Sequence, residues 1–494
     1  MSRTIHLHSG IIILDGINEK FATSITFKDG TVSAINQRVT DNAISIDLKG
    51  QTLVPGLIDS HLHLLLGSSG AGDVDLSTCT TRNTFEQQLL LGLDTLDADQ
   101  WLIASGWSEQ ALGMTPQINW FDCIQDVPVL CWRTDFHAAI LNQRAIDLLD
   151  LDAIQNIAGG QQCREGIIKE TALWQHVCPV IPSSSSSQIE RRLHDLAHAL
   201  HTNGITLVGA MEELKDVEKF LFPMRHDLGL RMRIMSLDSP SPTTFQRCNV
   251  FKDDPFLAIT GFKTFIDGTL GSRTAKMYQP YCDVQSSGLL VEHALDGTLD
   301  QWANAVADAG YAPVMHAIGD QAVSLALSTL RTITTDVTPR IEHAQFISEE
   351  DLCFIDGQWF GVQPLHKKDD DQIAPQAVGQ ERASILHNWR CMLDGGARLS
   401  FGSDWPIAPH TPIKAMSAAI LNGITPKEAL VATTADAADS LREPLAGRLN
   451  IGCFADATLL DTNPLTCDWQ KEIPAVIMTI VDGAIQFEQE RIDA

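Results

Sequence analysis

Eight short apolar segments that alternate with helical stretches restrict the fold of this chain more than any other feature. Several of them are separated by helical patterns such as LDQWANAVADAG and QAVSLALSTLRTI. The first segment carries His61 and His63, and the others cover residues 204–212, 230–237, 256–268, 311–320, 339–347, 358–365 and 397–406. Eight strands in alternation with helices predict an α/β protein whose centre is a (β/α)8 TIM barrel.

The two ends of the chain have a different pattern, because both are rich in short strands. Asp-Gly pairs at 29–30 and 482–483 indicate hairpins on either side of the long middle part. We therefore expect one small β-domain built from residues 1–55 plus 445–494, and a barrel over residues 56–444. A Trp-rich stretch at about 68–187 interrupts the alternation and is interpreted as an insertion between the first two barrel strands.

Composition limits the classes of partner. The formal net charge of −27 repels phosphate backbones and anionic lipids, so neither nucleic acid nor a membrane is an expected partner. Eleven cysteines without a C-x-x-C pair favour a reducing compartment. The first residues, MSRTIHLHSGIIILDG, contain only a four-residue apolar run and do not resemble a signal peptide. We expect a cytoplasmic protein that acts on a small molecule, with a homodimer as a further expectation.

Six polar residues at strand ends form the candidate site. Side chains alternate along a strand, so His61 and His63 point the same way and could chelate a metal ion, or be two unrelated histidines. The chemistry of TIM barrels lies at the carboxyl ends of the strands. There the later strands place Lys263, His316, His343 and Asp404. Imidazole and carboxylate groups suit zinc, iron or manganese.

Lys263 is the member of this set with several interpretations. A lysine buried among metal ions does not easily stay an ammonium ion, and a neutral lysine can react with carbon dioxide to form a bridging carbamate. It could instead be a surface lysine or pair with a substrate carboxylate. Glu170 in the insertion is the rival bridging carboxylate, and Asp267 is a weaker one.

Three histidines of RRLHDLAHALHTNG resemble a second zinc site, because they lie at i, i+4 and i+7 of a predicted helix. They are His194, His198 and His201. A zincin motif needs glutamate directly after its first histidine, where this chain has Asp195. We therefore interpret these histidines as a solvated or boundary face of the helix.

Five motifs resemble the amidohydrolase superfamily, and within it the branch of metal-dependent hydrolases that includes N-substituted formamide deformylase. They are LVPGLIDSHLHL, GFKTFIDGTLGSRTA, VMHAIGDQAV, RIEHAQFI and FGSDWPIAP, joined near the end by LAGRLNIGCFADATLLDTNPL. The resemblance covers nearly the whole chain. It implies a (β/α)8 barrel with a composite β-sandwich formed by both termini.

The resemblance also implies a metal centre and a reaction. One or two divalent transition metals, with zinc as the expected element, would be held by His61, His63, carbamylated Lys263, His316, His343 and Asp404. Metal-activated water would cleave a C–N bond of amide type, with Asp404 moving the proton from water to the leaving nitrogen. An N-acyl or N-formyl amine is the expected substrate. His137 and His366 are candidate substrate contacts, although QPLHKKDDDQIAP around His366 is unusually crowded with charge.

Two other functions remain open at this point. The first is a catalytically silent barrel that serves as a binding scaffold, which would be expected to have lost ligands. The second is a ring-amine deaminase, which usually has a glutamate after strand 5, where this chain has HAIGD. Because all six ligand positions carry a competent residue, the sequence favours the hydrolase.

Overall fold

The computed structural model describes residues 4–37, 43–68, 74–94, 96, 100–162, 166–182 and 184–490. The described strands form three sheets: one from the two ends of the chain, one in the insertion and one in the barrel.

The strands, numbered in chain order, are β1 (Thr4–Asp15), β2 (Lys20–Lys28), β3 (Thr31–Ile35), β4 (Ile44–Asp47), β5 (Thr52–Pro55), β6 (Leu57–Leu62), β7 (Val74–Asp75), β8 (Leu102–Trp107), β9 (Val129–Arg133), β10 (Ala138–Leu141), β11 (Gly160–Gln162), β12 (Ile167–Lys169), β13 (Ile205–Glu212), β14 (Arg231–Ser236), β15 (Leu257–Phe265), β16 (Ala312–Ala317), β17 (Arg340–His343), β18 (Trp359–Val362), β19 (Arg398–Phe401), β20 (Ala457–Leu460), β21 (Val476–Val481) and β22 (Ala484–Glu488). The α-helices are α1 (Leu64–Ser68), α2 (Arg82–Leu93), α3 (Glu109–Leu112), α4 (Gln143–Ile146), α5 (Leu151–Asn156), α6 (Glu170–His176), α7 (Ser186–Thr202), α8 (Leu214–Asp216), α9 (Phe222–Met224), α10 (Pro242–Cys248), α11 (Glu292–Asp296), α12 (Leu299–Asp308), α13 (Asp320–Leu330), α14 (Lys367–Val378), α15 (Gln380–Ala383), α16 (Trp389–Asp394), α17 (Pro412–Leu421), α18 (Pro426–Ala432) and α19 (Ala435–Ser440).

The barrel sheet runs in the order β6, β13, β14, β15, β16, β17, β18, β19, and every neighbouring pair is parallel. Strands such as β14 and β16 are buried along their whole length, as expected where helices cover a parallel sheet. The ring closes where the segment after β19 meets β6. There the Asp404 amide donates to the His61 carbonyl at 2.7 Å, and Leu62 and Trp405 pair as in a parallel sheet. The predicted α/β barrel of eight parallel strands is confirmed.

The terminal sheet joins both ends of the chain. Strand β5 pairs antiparallel with β20, and the order β22, β21, β20, β5, β1, β2, β3 continues from there, with β4 beside β1. A bulge between His8 and Ile12 divides β1, so its first half pairs with β4 and its second half with β5. This pairing supports the predicted composite β-domain, while its exact bounds and the sandwich arrangement stay predictions.

The insertion contains a sheet of its own, in the order β11, β12, β10, β9, β8, β7. Its core packs large aromatic side chains, among them Phe85, Trp107 and Trp120. The sheet is fixed on the barrel by Asp135, whose carboxylate accepts hydrogen bonds from Thr269 at 2.5 Å and Ser272 at 2.7 Å. The insertion therefore lies against the loop that follows β15, at the carboxyl end of the barrel.

Within the described part of the chain, no helix is both long and apolar enough to span a membrane. The described cysteines are all free thiols.

Candidate metal centre

The carboxyl ends of the barrel strands bring the predicted ligands together. His61 lies in β6 and His63 directly follows it, Lys263 lies in β15, His316 in β16 and His343 ends β17. Asp404 is the third residue after the end of β19. Because neighbouring parallel strands end at the same edge, these side chains share one small volume.

Asp404 is the point on which the first two histidines converge. Its Oδ1 atom lies 3.3 Å from Nε2 of His61 and 3.2 Å from Nε2 of His63. Burial would raise the pKa of Asp404, but His61 and the other surrounding imidazoles hold it well below the usual range of aspartate. The three residues are close enough to hold one metal ion together.

The second nitrogen of His61 is fixed by a buried ion pair. Nδ1 of His61 lies 2.6 Å from Oε2 of Glu342, and Oε1 of Glu342 lies 2.8 Å from the Arg340 guanidinium. Burial alone would raise the pKa of Glu342, yet Arg340 and His61 lower it to about 2. A permanent carboxylate at this place makes Nδ1 the donor and leaves Nε2 as the nitrogen that faces Asp404.

Asp404 and His343 have unusual backbone conformations. Their φ angles are 59° and 71°, and Ala344 beside His343 has 43°. Non-glycine residues rarely occupy this left-handed region, and such strain is concentrated at functional sites. In this protein His343 and Asp404, which have this conformation, lie at or just after the ends of β17 and β19, among the candidate ligands.

His316 and His343 lie beside one another. Their ring centroids are 4.5 Å apart, and the ring of His61 is 5.2 Å from that of His343. Nε2 of His316 donates to the Gly268 carbonyl at 3.1 Å. Burial lowers the pKa of both histidines well below the ordinary value, so both are neutral. Neutral imidazole is the form that binds metal ions.

Lys263 also points into the centre. Its Nζ atom lies 3.4 Å from Nε2 of His61, and burial lowers the pKa of its amine. The two rival carboxylates have other partners. Asp267 accepts backbone hydrogen bonds from residues 276, 318 and 319, and Glu170 accepts from His137 and Thr274.

A second group of possible ligands shares Asp404 with the first. It consists of His343, His366 and Asp404, whose candidate ligand atoms lie within 4.8 Å of one another. Nδ1 of His343 and Nε2 of His366 are buried and have no hydrogen-bond partner among the described residues. Partnerless buried nitrogens beside a carboxylate fit a bound divalent metal, so the donor set agrees with the metal that the sequence predicts.

The insertion adds a histidine–carboxylate pair above the centre. Nδ1 of His137 lies 2.9 Å from Oε2 of Glu170, and Thr274 donates to the other oxygen of Glu170 at 2.5 Å. Burial would lower the pKa of His137, but Glu170 raises it to about 9. The His137 ring lies 5.3 Å from that of His316, so this sequence-predicted residue does border the site.

Two cavities meet at the centre. The larger, of about 650 Å³, has an aromatic wall in which Trp132 stacks on Phe136 at 5.4 Å and contacts Trp174 at 5.3 Å. The smaller, of about 410 Å³, has a more polar lining that includes His366 and Asp369. Both are lined by His137 and Asp404, so a ligand at the centre can extend in two chemically different directions.

The sequence analysis missed two residues that hold the candidate ligands in place, Glu342 and Asp59. Asp59 accepts hydrogen bonds from the amides of His61 at 3.2 Å and Ser403 at 2.9 Å, which ties the first strand to the last. A signal was present in both cases, because Asp59 shares a face with His61, and RIEH places Glu342 in a strand with otherwise buried neighbours. The aromatic wall was signalled only by the Trp-rich composition of the insertion, which does not reveal that Trp132, Phe136 and Trp174 face one cavity.

The helix histidines lie away from this site. His194 and His198 of α7 are exposed, as expected for a solvated face. His201 is buried, and its Nε2 donates to the Gly229 carbonyl at 3.0 Å. None of the three belongs to a possible metal-binding group among the described residues.

Comparison with known proteins places these residues in context. The model of the amidohydrolase family matches residues 45–487. The protein LONG AFTER FAR-RED 3 of Arabidopsis thaliana is 27% identical, with 97% of this chain and 90% of that protein covered. N-substituted formamide deformylase of Arthrobacter pascens is 23% identical, with 93% of each chain covered. An uncharacterized metal-dependent hydrolase from Pyrococcus furiosus superposes with a TM-score of 0.73 at 26% identity, over 94% of this chain and 100% of the other.

Proposed function

The chain belongs to the amidohydrolase family, and from that premise we propose that it is a metal-dependent hydrolase that cleaves an amide-type C–N bond with water. The observation that carries the proposal is the convergence of His61 and His63 on one oxygen of Asp404, at 3.3 and 3.2 Å. This cluster lies where two cavities meet, so a substrate can reach it. A carboxylate between two imidazoles can bind metal and also exchange a proton with substrate.

We assign the metal to His61, His63, Lys263, His316, His343 and Asp404, with zinc as the proposed element. A divalent ion held there would polarise the scissile carbonyl and make water nucleophilic at neutral pH. Lys263 is proposed to act as a carbamate, since burial already favours its neutral amine and both oxygens of Glu170 are occupied by other donors.

Asp404 carries the proton transfer in this proposal. Its carboxylate is ionised at neutral pH, because the surrounding imidazoles hold its pKa low. It accepts a proton from the attacking water and returns it to the leaving nitrogen, which makes the amine a better leaving group. Glu342 keeps His61 in the tautomer whose Nε2 faces Asp404.

The cavities support an N-acyl or N-formyl amine as the substrate class. The wall of Trp132, Phe136 and Trp174 offers a flat apolar surface to an aromatic or alkyl substituent. The related deformylase, by its name, acts on N-substituted formamides. We therefore propose that one substituent lies against this wall while the amide carbon lies over Asp404.

The first test combines metal removal with one substitution. Chelator treatment should abolish hydrolysis of a panel of N-formyl and N-acyl benzylamines and alkylamines, and zinc, iron or manganese should restore it. Asp404→Asn should lower kcat by about 100-fold or more, the scale of losing a general base, while the circular dichroism spectrum is unchanged.

The control is Asp308→Asn, since Asp308 is exposed at the end of α12. It should hydrolyse the panel like the unmodified protein. Chelator-resistant turnover, or an Asp404→Asn variant within a few-fold of the unmodified protein, would exclude the proposed chemistry.

A further inference from the structure

His366 occupies a position that its local structure does not explain. It precedes α14 at the N-cap position, yet its side chain caps none of the free amides of that helix. Its main-chain amide bonds to the Gln363 carbonyl at 3.1 Å, which fixes the backbone after β18. The imidazole is therefore free to serve a purpose other than helix capping.

The Nε2 atom of His366 is buried and has no hydrogen-bond partner in the part of the chain that the structure describes. A buried polar nitrogen without a partner costs about 1–3 kcal/mol, so proteins rarely keep one unless something else binds it. The residue His343 is 4% exposed, and its Nδ1 is likewise buried without a hydrogen-bond partner among the described residues. These two nitrogens lie at and beyond the carboxyl ends of the neighbouring strands β17 and β18.

Asp404 completes a set of three. Candidate ligand atoms of His343, His366 and Asp404 lie within 4.8 Å of one another. Ligand atoms of one tetrahedral zinc ion are about 3.4 Å apart, so the three side chains would have to approach one another by up to about 1.4 Å when the ion binds. His366 forms no ion pair with Asp404 within 4.0 Å among the described residues, so a direct bond does not explain the approach.

We propose that His366 is a metal ligand, so that the loop after β18 joins the centre and Asp404 is shared by two His2Asp groups. One group is His61, His63 and Asp404, and the other is His343, His366 and Asp404. Two neutral imidazoles and one carboxylate suit zinc, iron or manganese. The inference rests on the proposed function only in requiring a metal, and it gives His366 a role other than substrate contact.

The test measures metal binding, without turnover. Metal-free protein is titrated with Zn²⁺ against a chromophoric chelator, and with Co²⁺ while the visible absorption bands are recorded. Loss of a residue that only supports a ligand weakens metal binding about 10- to 100-fold, so loss of a ligand should exceed that range. We expect His366→Ala to lower the binding affinity for one equivalent of Zn²⁺ by more than about 100-fold. The visible absorption bands of bound Co²⁺ should also change.

The matched control is His410→Gln. His410 also has a buried ring nitrogen without a partner among the described residues, but it belongs to neither His2Asp group. It should bind both metals like the unmodified protein. His366→Gln, which keeps a polar side chain of similar length, serves if the alanine variant does not fold, and it should show the same loss.

The outcomes separate this inference from the proposed function. Unmodified protein that binds neither metal would overturn both. Tight binding by the unmodified protein with the same affinity and the same Co²⁺ bands in the His366 variants would overturn only the inference. Unchanged metal affinity with a raised KM would return His366 to the role of substrate contact.

Discussion

His61 illustrates how much of the site depends on single residues outside the ligand set. Its Nδ1 donates to Glu342, which is held by Arg340, and its Nε2 faces Asp404 and Lys263. A neutral imidazole that donates from Nδ1 can offer only Nε2 to a metal. Glu342 therefore determines which nitrogen is available, although it contacts no substrate.

Glu342→Gln tests this positioning role. The amide keeps the shape of the carboxylate but removes its charge, so the tautomer of His61 is no longer enforced and its ring becomes less basic. We expect Zn²⁺ to bind about 10- to 100-fold more weakly, the range for residues that support a metal ligand. Chelator competition at neutral pH measures the change.

Glu349→Gln is the control, because Glu349 is exposed in the loop after β17. It should leave Zn²⁺ affinity unchanged. Equal affinity in Glu342→Gln and the unmodified protein would show that the His61–Glu342 contact is structural only.

At the scale of elements, the regular strands of the barrel could be predicted from the sequence, and the short strands of the insertion could not. The eight barrel strands were predictable because they are mostly buried apolar runs. The proposed ligands stood out because they lie at or near the ends of these runs, as His316 follows Val314 and Met315 in β16. The insertion sheet contains strands as short as two or three residues, such as β7 and β12, which leave no period to detect. RIEH marked Glu342 as a charged residue in a buried strand, but its role could not be deduced there, because its partner His61 lies 281 residues away in the chain.

Helix α7 shows the same limit on one face. His194, His198 and His201 share a helical spacing, but the neighbouring strand and loop decide their burial. His201 packs beside the terminal sheet, where the Thr479 hydroxyl donates to its carbonyl at 2.7 Å and its own ring donates to Gly229. Spacing along one helix cannot reveal such partners.

The buried His201 predicts a pH dependence of stability. Burial lowers the pKa of His201 from 6.5 to about 4. Between these two pH values the unfolded chain binds a proton at His201 and the native protein does not. Stability from this residue is complete above pH 6.5 and declines as the pH falls towards 4. The variant His201→Gln can still donate to Gly229 but has no group that titrates in this range. Between pH 7 and pH 5 its unfolding free energy should therefore fall by roughly 2 kcal/mol less than that of the unmodified protein.

Denaturant unfolding at the two pH values measures the difference. His198→Gln is the control, because His198 is exposed on the same helix and should keep the full pH dependence. If His201→Gln and the unmodified protein declined equally between pH 7 and 5, His201 would have to titrate as an exposed histidine.

At the scale of the whole molecule, the barrel is held between the terminal sheet and the insertion. The insertion covers the carboxyl end through Asp135 and Glu170, where the site lies. The terminal sheet lies against the barrel at β14, whose Arg231 is fully buried. The two additions therefore contact different parts of one barrel, the insertion at its carboxyl end and the terminal sheet at β14.

The contact between Arg231 and Asp456 is the sharpest test of that assembly. Nε of Arg231 lies 2.6 Å from Oδ2 of Asp456, at the edge of β20, and a second guanidinium nitrogen lies 3.1 Å from Asp482. Removing one partner of a buried pair leaves an uncompensated charge and costs about 3–5 kcal/mol. We expect Asp456→Ala to lower the unfolding free energy by that amount, because Asp482 is half exposed and cannot replace it.

The control is an exposed ion pair that also joins the terminal sheet region to the barrel. Lys427 lies 2.7 Å from Glu19, and the two side chains are 45% and 56% exposed. Because exposed pairs contribute about 0–1 kcal/mol, Glu19→Ala should change stability little. Denaturant unfolding of both variants measures the two losses. Equal small losses would mean that the Arg231–Asp456 pair contributes little to holding the terminal sheet on the barrel, whereas the predicted contrast would identify this buried pair as a main contact between them.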